Sequence, residues 1–289
     1  RSYTLLGDEV NTSSRLMQGC QPWQTLVSQA MVRATQTQYM FHQFPGFQLK
    51  GRLEPVPVGM PVAELLPMQQ MVPPGPLVGR EGEVAQLDQL LDAAIAGPAQ
   101  ALQVVGGVGL GKSRLMAELV RNAAARGVRT LVGHCQETGQ GTPYLPWRDV
   151  LRTFFGLQGS GSVAWQAGQL ETMLRWIYPE GLARLPLLGD LLGIEIPENP
   201  TTAAFDAPLR QQSLFALLGD LLLRMAEQQP LLILMEDVHW MDRASSDLFE
   251  SLGRSLAEVR ALLAVTQRPP ERPGEEQLPG LKDLPRYAA

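Results

Sequence analysis

Gly106, Gly107, Gly109 and Gly111 lead into Lys112-Ser113, and the run from Gly106 to Ser113 fits the pattern GxxxxGK[ST] in full. Glycines let a backbone turn so that successive N–H groups point at phosphate oxygens with no side chain in the way. A helix beginning near Lys112 adds the partial positive charge of its N-terminus. In such a loop the lysine reaches the β- and γ-phosphates and the serine hydroxyl ligates magnesium. The expected chemistry is binding of a nucleoside triphosphate, foremost ATP with Mg²⁺, through Gly106, Gly109, Gly111, Lys112 and Ser113.

Phosphate chemistry also needs carboxylates. Leu231 to Met235 is an unbroken apolar run that ends in Glu236-Asp237. A phosphate-bound Mg²⁺ takes a carboxylate in its shell, and hydrolysis needs a group that orients water. By position Glu236 falls where the metal is held, and Asp237 where water is polarised. Ligands of open α/β sheets bind at the C-terminal strand ends, so the two acids are expected on a strand next to the one that feeds the loop.

The elements that must position these residues follow from hydrophobic patterning. Ala101–Val105, Thr130–His134, Leu231–Met235 and Ala261–Thr266 are short apolar runs bounded by polar or turn residues, as in strands with helices on both faces. Amphipathic segments lie between them, the βαβ rhythm of a parallel sheet. The long stretch between the second and third runs, Leu-rich near 182–192 and 212–225, predicts inserted helices. The fold class expected is α/β, a P-loop NTPase with a parallel sheet, over residues 77–268. Residues 67–76 hold four prolines and a glycine and read as a linker. The Pro- and Glu-rich stretch 269–289 reads as an irregular tail.

Leu77-Val78-Gly79-Arg80-Glu81, the phosphate loop, and Met235 through Asp242 (MEDVHWMD) together resemble the AAA-type ATPase module of the STAND class, the signal-transduction ATPases with numerous domains. Gly133-His134-Cys135, followed by Pro143-Tyr144-Leu145-Pro146-Trp147, is also similar to that module. The resemblance implies that Val78, Gly79 and Arg80 pack near the adenine. It also implies that Arg268, just after the fourth strand, is a sensor of the γ-phosphate; a solvated strand-end arginine is the other reading. His239 and Trp240 read as packing at the base of the loop.

Gly7 to Leu16 (GDEVNTSSRL) is the other informative stretch. A helix capped by Asp8 or Asn11 would set Asn11 and Arg15 four residues apart on one face. An amide can hold a sugar oxygen while a guanidinium neutralises phosphate charge. The pattern GxxVNxxxRL resembles the closing part of a class III nucleotidyl cyclase domain, over residues 1–66, a partial α+β domain. Phe47–Gly51 and Glu54–Val58 look like its last strands. The resemblance implies that Asn11 and Arg15 stabilise a transition state, that Thr4 helps select the purine, and that the parent protein forms a homodimer through this domain. The family's metal-binding aspartates and base-reading lysine precede these motifs, and the sequence starts at Arg1. The residues given are therefore expected to be a fragment without cyclase activity of its own.

A net charge of −5 with no long Lys/Arg block gives no sign of a nucleic-acid surface. Cys20 and Cys135 form no CxxC pair, which fits a reducing cytoplasm rather than a disulfide framework or a zinc site. No apolar run is long enough to span a membrane. The reading with the widest support is an ATP-binding switch that regulates an attached adenylate cyclase. The alternative is a nucleotide-gated transcriptional regulator or scaffold whose cyclase domain is vestigial. A ring-forming AAA motor, and a P-loop fold that binds nucleotide only for stability, complete the set.

Overall fold

The structure is a computed structural model that describes residues 8–20, 25–35, 39–48, 54–64, 79–157, 161–270, 278–282 and 286–288. It divides into two compact units: Arg1–Pro67 with Arg152–Met173, and Met68–Leu151 with Leu174–Ala289. Arg152–Met173, read from sequence as part of the second region, thus groups with the first. These residues belong to the helical insertion and not to the sheet.

In the first unit, helix α1 (Asp8–Gly19) precedes a short strand β1 (Val27–Ser28), helix α2 (Gln29–Thr35) and strands β2 (Tyr39–Phe47) and β3 (Val56–Glu64). The strands form an antiparallel sheet in the order β1-β3-β2. Leu16 of α1 and Val32 of α2 are buried, as are Phe41, Phe44, Val58 and Met60 of the sheet. One expectation is corrected here. α1 already begins at Asp8, so Asn11 is inside the helix and not its cap. Phe47 is the last residue of β2, β3 starts at Val56, and residues 49–53 of the expected strands lie outside the described residues.

The second unit is built on helix α3 (Glu81–Ala96), strand β4 (Gln100–Val105), helix α4 (Lys112–Ala125) and strand β5 (Arg129–His134). The insertion follows as α5 (Leu145–Phe154), α6 (Val163–Ile177), α7 (Leu185–Leu192), α8 (Pro200–Ala203) and α9 (Ala207–Gln228), of which residues 152–173 group with the first unit. Strand β6 (Leu231–Glu236), helix α10 (Arg243–Ser255), strand β7 (Ala261–Gln267) and a short β8 (Tyr287–Ala288) complete it. The sheet order is β5-β6-β7-β4-β8, with every pair parallel.

Every residue of β6 and β7 is buried, which explains their uninterrupted apolar sequences. Leu232, Leu234, Leu262 and Ala264 pack on one face against Leu87 and Leu91 of α3 and Met116 and Leu119 of α4. Ile233, Met235, Leu263 and Val265 alternate with them and are equally buried, so the opposite face is covered as well. α9 buries Leu214, Leu217, Leu218, Leu221, Leu222 and Met225, a three-and-four spacing that makes one stripe.

Two features depart from the sequence reading. The strand carrying the acids is not next to the strand that feeds the glycine loop: β7 lies between β6 and β4. Parallel strands are joined by crossovers, so neighbours in the chain need not be neighbours in the sheet. The stretch read as an irregular tail contains β8, which pairs with β4 at Ala101 and Leu102.

Candidate nucleotide site

The sequence Gln-Val-Val ends β4 and the chain then turns over Gly106–Gly111 before α4 starts at Lys112. Gly109 and Gly111 take φ of +76° and +83°, a region that side chains disfavour. Gly111 is the N-cap of α4, and no side chain caps this helix. α9 and α10 differ: Asp206 accepts from Leu209 N at 2.9 Å and Asp242 from Ser245 N at 3.0 Å. The first-turn amides of α4 therefore have no side-chain acceptor and suit an anion. Lys112 Nζ donates to the carbonyls of Gly106 at 2.9 Å and Gly107 at 3.2 Å, and the exposed Ser113 follows in the first turn.

β7 acts as a spacer between loop and acids. Gly106 N donates to Gln267 O at 3.1 Å on one side. On the other, Asp237 N donates to Thr266 Oγ1 at 3.0 Å. Thr266 is buried, and Asp237 is held at φ 54° and ψ 46° with its carboxylate partly exposed. A non-glycine residue kept in this left-handed region is strained, and its surroundings must hold it there.

Glu236 is buried at the end of β6, opposite His134 in register on β5. Its Oε2 lies 2.9 Å from His134 Nδ1. That hydrogen bond holds the His134 imidazole above its ordinary range, helped by the field of Glu236, Asp149 and Asp237 and opposed by partial burial. Glu236 Oε1 is buried and has no hydrogen-bond partner among the described residues. An orphaned carboxylate oxygen at the phosphate edge, with the Ser113 hydroxyl on α4, is a donor set that fits Mg²⁺. Among the described residues no group of three or more His, Cys, Asp or Glu could hold a metal alone, so phosphate oxygens would supply the remaining ligands.

Arg268 follows β7 and its guanidinium stands 5.8 Å from the centre of the Trp240 ring. His239, its ring tilted 43° against that of Trp240 with centroids 5.0 Å apart, is pushed below its ordinary pKa first by burial. Asp237 pulls against that shift, and Arg268 and Lys112 add to it. Lys112 follows the loop after β4, Asp237 follows β6 and Arg268 follows β7, so all three stand beyond the C-terminal ends of parallel strands. On the far side of the loop, Arg80 donates to Leu110 O at 3.3 Å and pairs with Glu83. Gly79, at φ +75°, donates to Glu81 Oε1 at 3.1 Å. The segment before α3 is therefore tied to the loop itself.

Gly106, Gly109, Gly111, Lys112, Ser113, Gly79, Arg80, Glu236, Asp237 and Arg268 all belong to the second unit. Asn11 and Arg15 belong to the first, four apart on α1, with Asn11 exposed and Arg15 partly buried. Thr4 and Val78 lie outside the described residues. Two positioning residues were missed by sequence reasoning. His134 had a usable signal, since it ends an apolar run as Glu236 does, and parallel strands end level. Thr266 had none, because nothing in the sequence says that β7 sits in the middle. Cys135 is close by, but burial, with the charges of Asp242 and Asp237, pushes its thiol up to about 12, so it is no nucleophile.

A family model described as an AAA ATPase domain matches residues 76–265. The chain belongs to this family. Residues 76–265 are a P-loop ATPase module, and membership implies nucleotide binding. An uncharacterized protein of Rhizobium meliloti (strain 1021) is 30% identical over 202 residues, 68% of this chain and 19% of that protein. The chain thus spans about a fifth of the length of the curated relative it matches. A Walker-type ATPase of Pyrococcus abyssi superposes with a TM-score of 0.28 at 13% identity, over 66% of this chain and 45% of that one. That superposition is too loose to bear on the site. No described helix is long and apolar enough to cross a membrane.

Proposed function

We propose that this AAA module is an ATP–Mg²⁺ switch in a multidomain signalling protein of the STAND type, in which nucleotide state regulates an attached adenylate cyclase domain. The carrying observation is Lys112: its ammonium rests on two carbonyls of an open glycine loop, with Ser113 beside it and the paired acids one strand away. An arriving triphosphate exchanges those carbonyl contacts for β- and γ-oxygens, while the uncapped amides of α4 bind the same charge. Ser113 and Glu236 would hold Mg²⁺, which neutralises phosphate charge when bound. His134 orients Glu236 through the 2.9 Å contact. The partly exposed Asp237 carboxylate orients water for slow hydrolysis, which resets the switch. Arg268 reports the γ-phosphate. A nucleotide shifts such an equilibrium only through its different affinity for the two states.

The cyclase part of this reading is supported by the residues alone. Asn11 and Arg15 share one face of α1, the spacing that a sugar-and-phosphate contact needs, and the family resemblance assigns Thr4 to the purine. A parent homodimer follows from the same resemblance, and a cytoplasmic setting from the two cysteines that form no CxxC pair.

Calorimetry with ATP–Mg²⁺ and GTP–Mg²⁺, on this chain and on Lys112→Ala, tests the proposal. We expect ATP to bind more tightly than GTP and the variant to lose most of that affinity. A folded chain that binds neither nucleotide, or a Lys112→Ala variant that binds like the wild type, overturns the site.

A further inference from the structure

A cavity lies in the insertion, and none of the residues that line it belongs to the glycine loop. Its volume is about 210 Å³, below the ~300–1,000 Å³ of sites for drug-sized molecules and suited to a smaller metabolite. Leu187 and Leu191 of α7 and Leu214 of α9 give it an apolar floor. Tyr144, Arg148 and Gln211 supply polar groups to the same lining.

Arg148 is the informative residue. It is partly buried, its Nε is fully buried without a hydrogen-bond partner, and its side chain makes no hydrogen bond or ion pair among the described residues. The other arginine at the cavity, Arg210, is already engaged by Asp190, by Glu198 at 2.8 Å and by Thr202 O at 3.1 Å. Asp190, the acid that also lines the space, shares Arg210 with Glu198. Arg148 is the lining cation without an ion pair among the described residues. A buried guanidinium nitrogen without an acceptor is costly, and a carboxylate is the acceptor whose geometry the guanidinium fork matches.

Tyr144 completes the wall in a constrained form. It takes φ 62°, packs edge-on against Phe215 at 6.3 Å, and its hydroxyl accepts from Gln211 Nε2 at 3.3 Å. Its backbone N–H donates to Asp242 Oδ1 at 3.4 Å, and the same oxygen accepts from Ser245 N to cap α10. Asp242 ends the turn that begins at Asp237. A ligand that moves Tyr144 therefore pulls on the turn that holds the second acid.

We propose that this cavity is an effector site for a small organic carboxylate with an apolar body, held by Arg148 and Tyr144 over Leu187, Leu191 and Leu214, and coupled through Asp242 to the nucleotide edge. The coupling rests on the ATP-switch reading; the site itself does not. Hexanoate is the probe, with hexanol as its uncharged counterpart, titrated into the 289-residue chain without nucleotide. Hexanoate is expected to bind saturably in the millimolar range, at least tenfold more tightly than hexanol, and Arg148→Met to weaken it at least tenfold. Equal affinity for hexanoate and hexanol, no saturable binding, or an unaffected Arg148→Met variant overturns the site, and the first two outcomes need no variant. Saturating hexanoate is then expected to change the ATP dissociation constant at least threefold, and in Arg148→Met not at all. Hexanoate binding with an unchanged ATP constant overturns the coupling. Hexanoate binding that depends on Arg148, in a chain that binds no ATP, leaves the site standing and sinks the nucleotide reading instead.

Discussion

Gly111 and Gly127 bracket α4, one just before it and one just after its last turn, and they allow a controlled experiment. Both have positive φ, +83° and +71°, and a Cβ added at either would meet nothing within 4 Å. The cost of alanine is therefore backbone strain alone, about 1–2 kcal/mol for a left-handed L-residue, offset by about 0.4–1 kcal/mol from the stiffer unfolded chain. Each variant should lose about 1 kcal/mol. With a slope of ~1–3 kcal/mol per molar urea, the unfolding midpoint should fall by roughly 0.3–1 M. The two differ in what the strain disturbs. At Gly111 an alanine that relaxes toward negative φ turns the first amides of α4 away from the phosphates, so Gly111→Ala should weaken ATP–Mg²⁺ at least tenfold, about 1.4 kcal/mol. Gly127→Ala should bind ATP as the wild type does. Urea titration and calorimetry on the same preparations give both numbers. Equal ATP affinity in the two variants would refute the assignment of the α4 amides to phosphate.

Thr266→Val keeps the shape of β7 but removes the acceptor of Asp237 N–H; leaving that donor unpaired should cost about 1–3 kcal/mol, read as a lower urea midpoint. Hydrolysis should slow more than ATP binding weakens in this variant, because Asp237 is the group displaced, and a wild-type turnover rate would count against the spacer role of β7. His239 gives a pH signature. Burial lowers its folded-state pKa, so the unfolded chain takes the proton first as pH falls below about 6.5. The contribution is intact above that pH and is lost as pH falls through the lowered folded-state value. Since neither ring nitrogen has a hydrogen-bond partner among the described residues, His239→Phe should flatten this part of the stability–pH curve; an unchanged slope would show that another group causes it.

The glycine loop, the four long strands of the parallel sheet and the start of α4 were legible because each is set locally. Glycine spacing, apolar run length and the switch to a helical period are properties of a few consecutive residues. The presence of inserted helices was also legible, since the gap between β5 and β6 exceeds what one crossover needs. What escaped depends on which strand lies beside which. The run Ala261–Thr266 could be read as a strand, but not as the one standing between loop and acids, and so Thr266 gained its role unseen. The His134–Glu236 pair escaped for the same reason, as it joins two residues of strands separated by the whole insertion. Nothing in the sequence sets Arg148 apart from the other arginines. Only the folded neighbourhood shows that its partners are missing while those of Arg210 are in place.

β8 has a consequence for the order in which the molecule can be completed. Tyr287 bonds Gln103 across 184 residues of sequence, and Ala101 N donates to Arg286 O at 3.5 Å. During synthesis at ~5–20 residues per second, β4 leaves the ribosome on the order of ten seconds or more before the strand that covers its outer edge. Throughout that interval the strand feeding the phosphate loop presents bare N–H and C=O groups, the template for pairing with another chain. A nascent chain stalled or cleaved upstream of Tyr287 should therefore be more prone to aggregate than one that carries β8, even with its glycine loop and both acids already made.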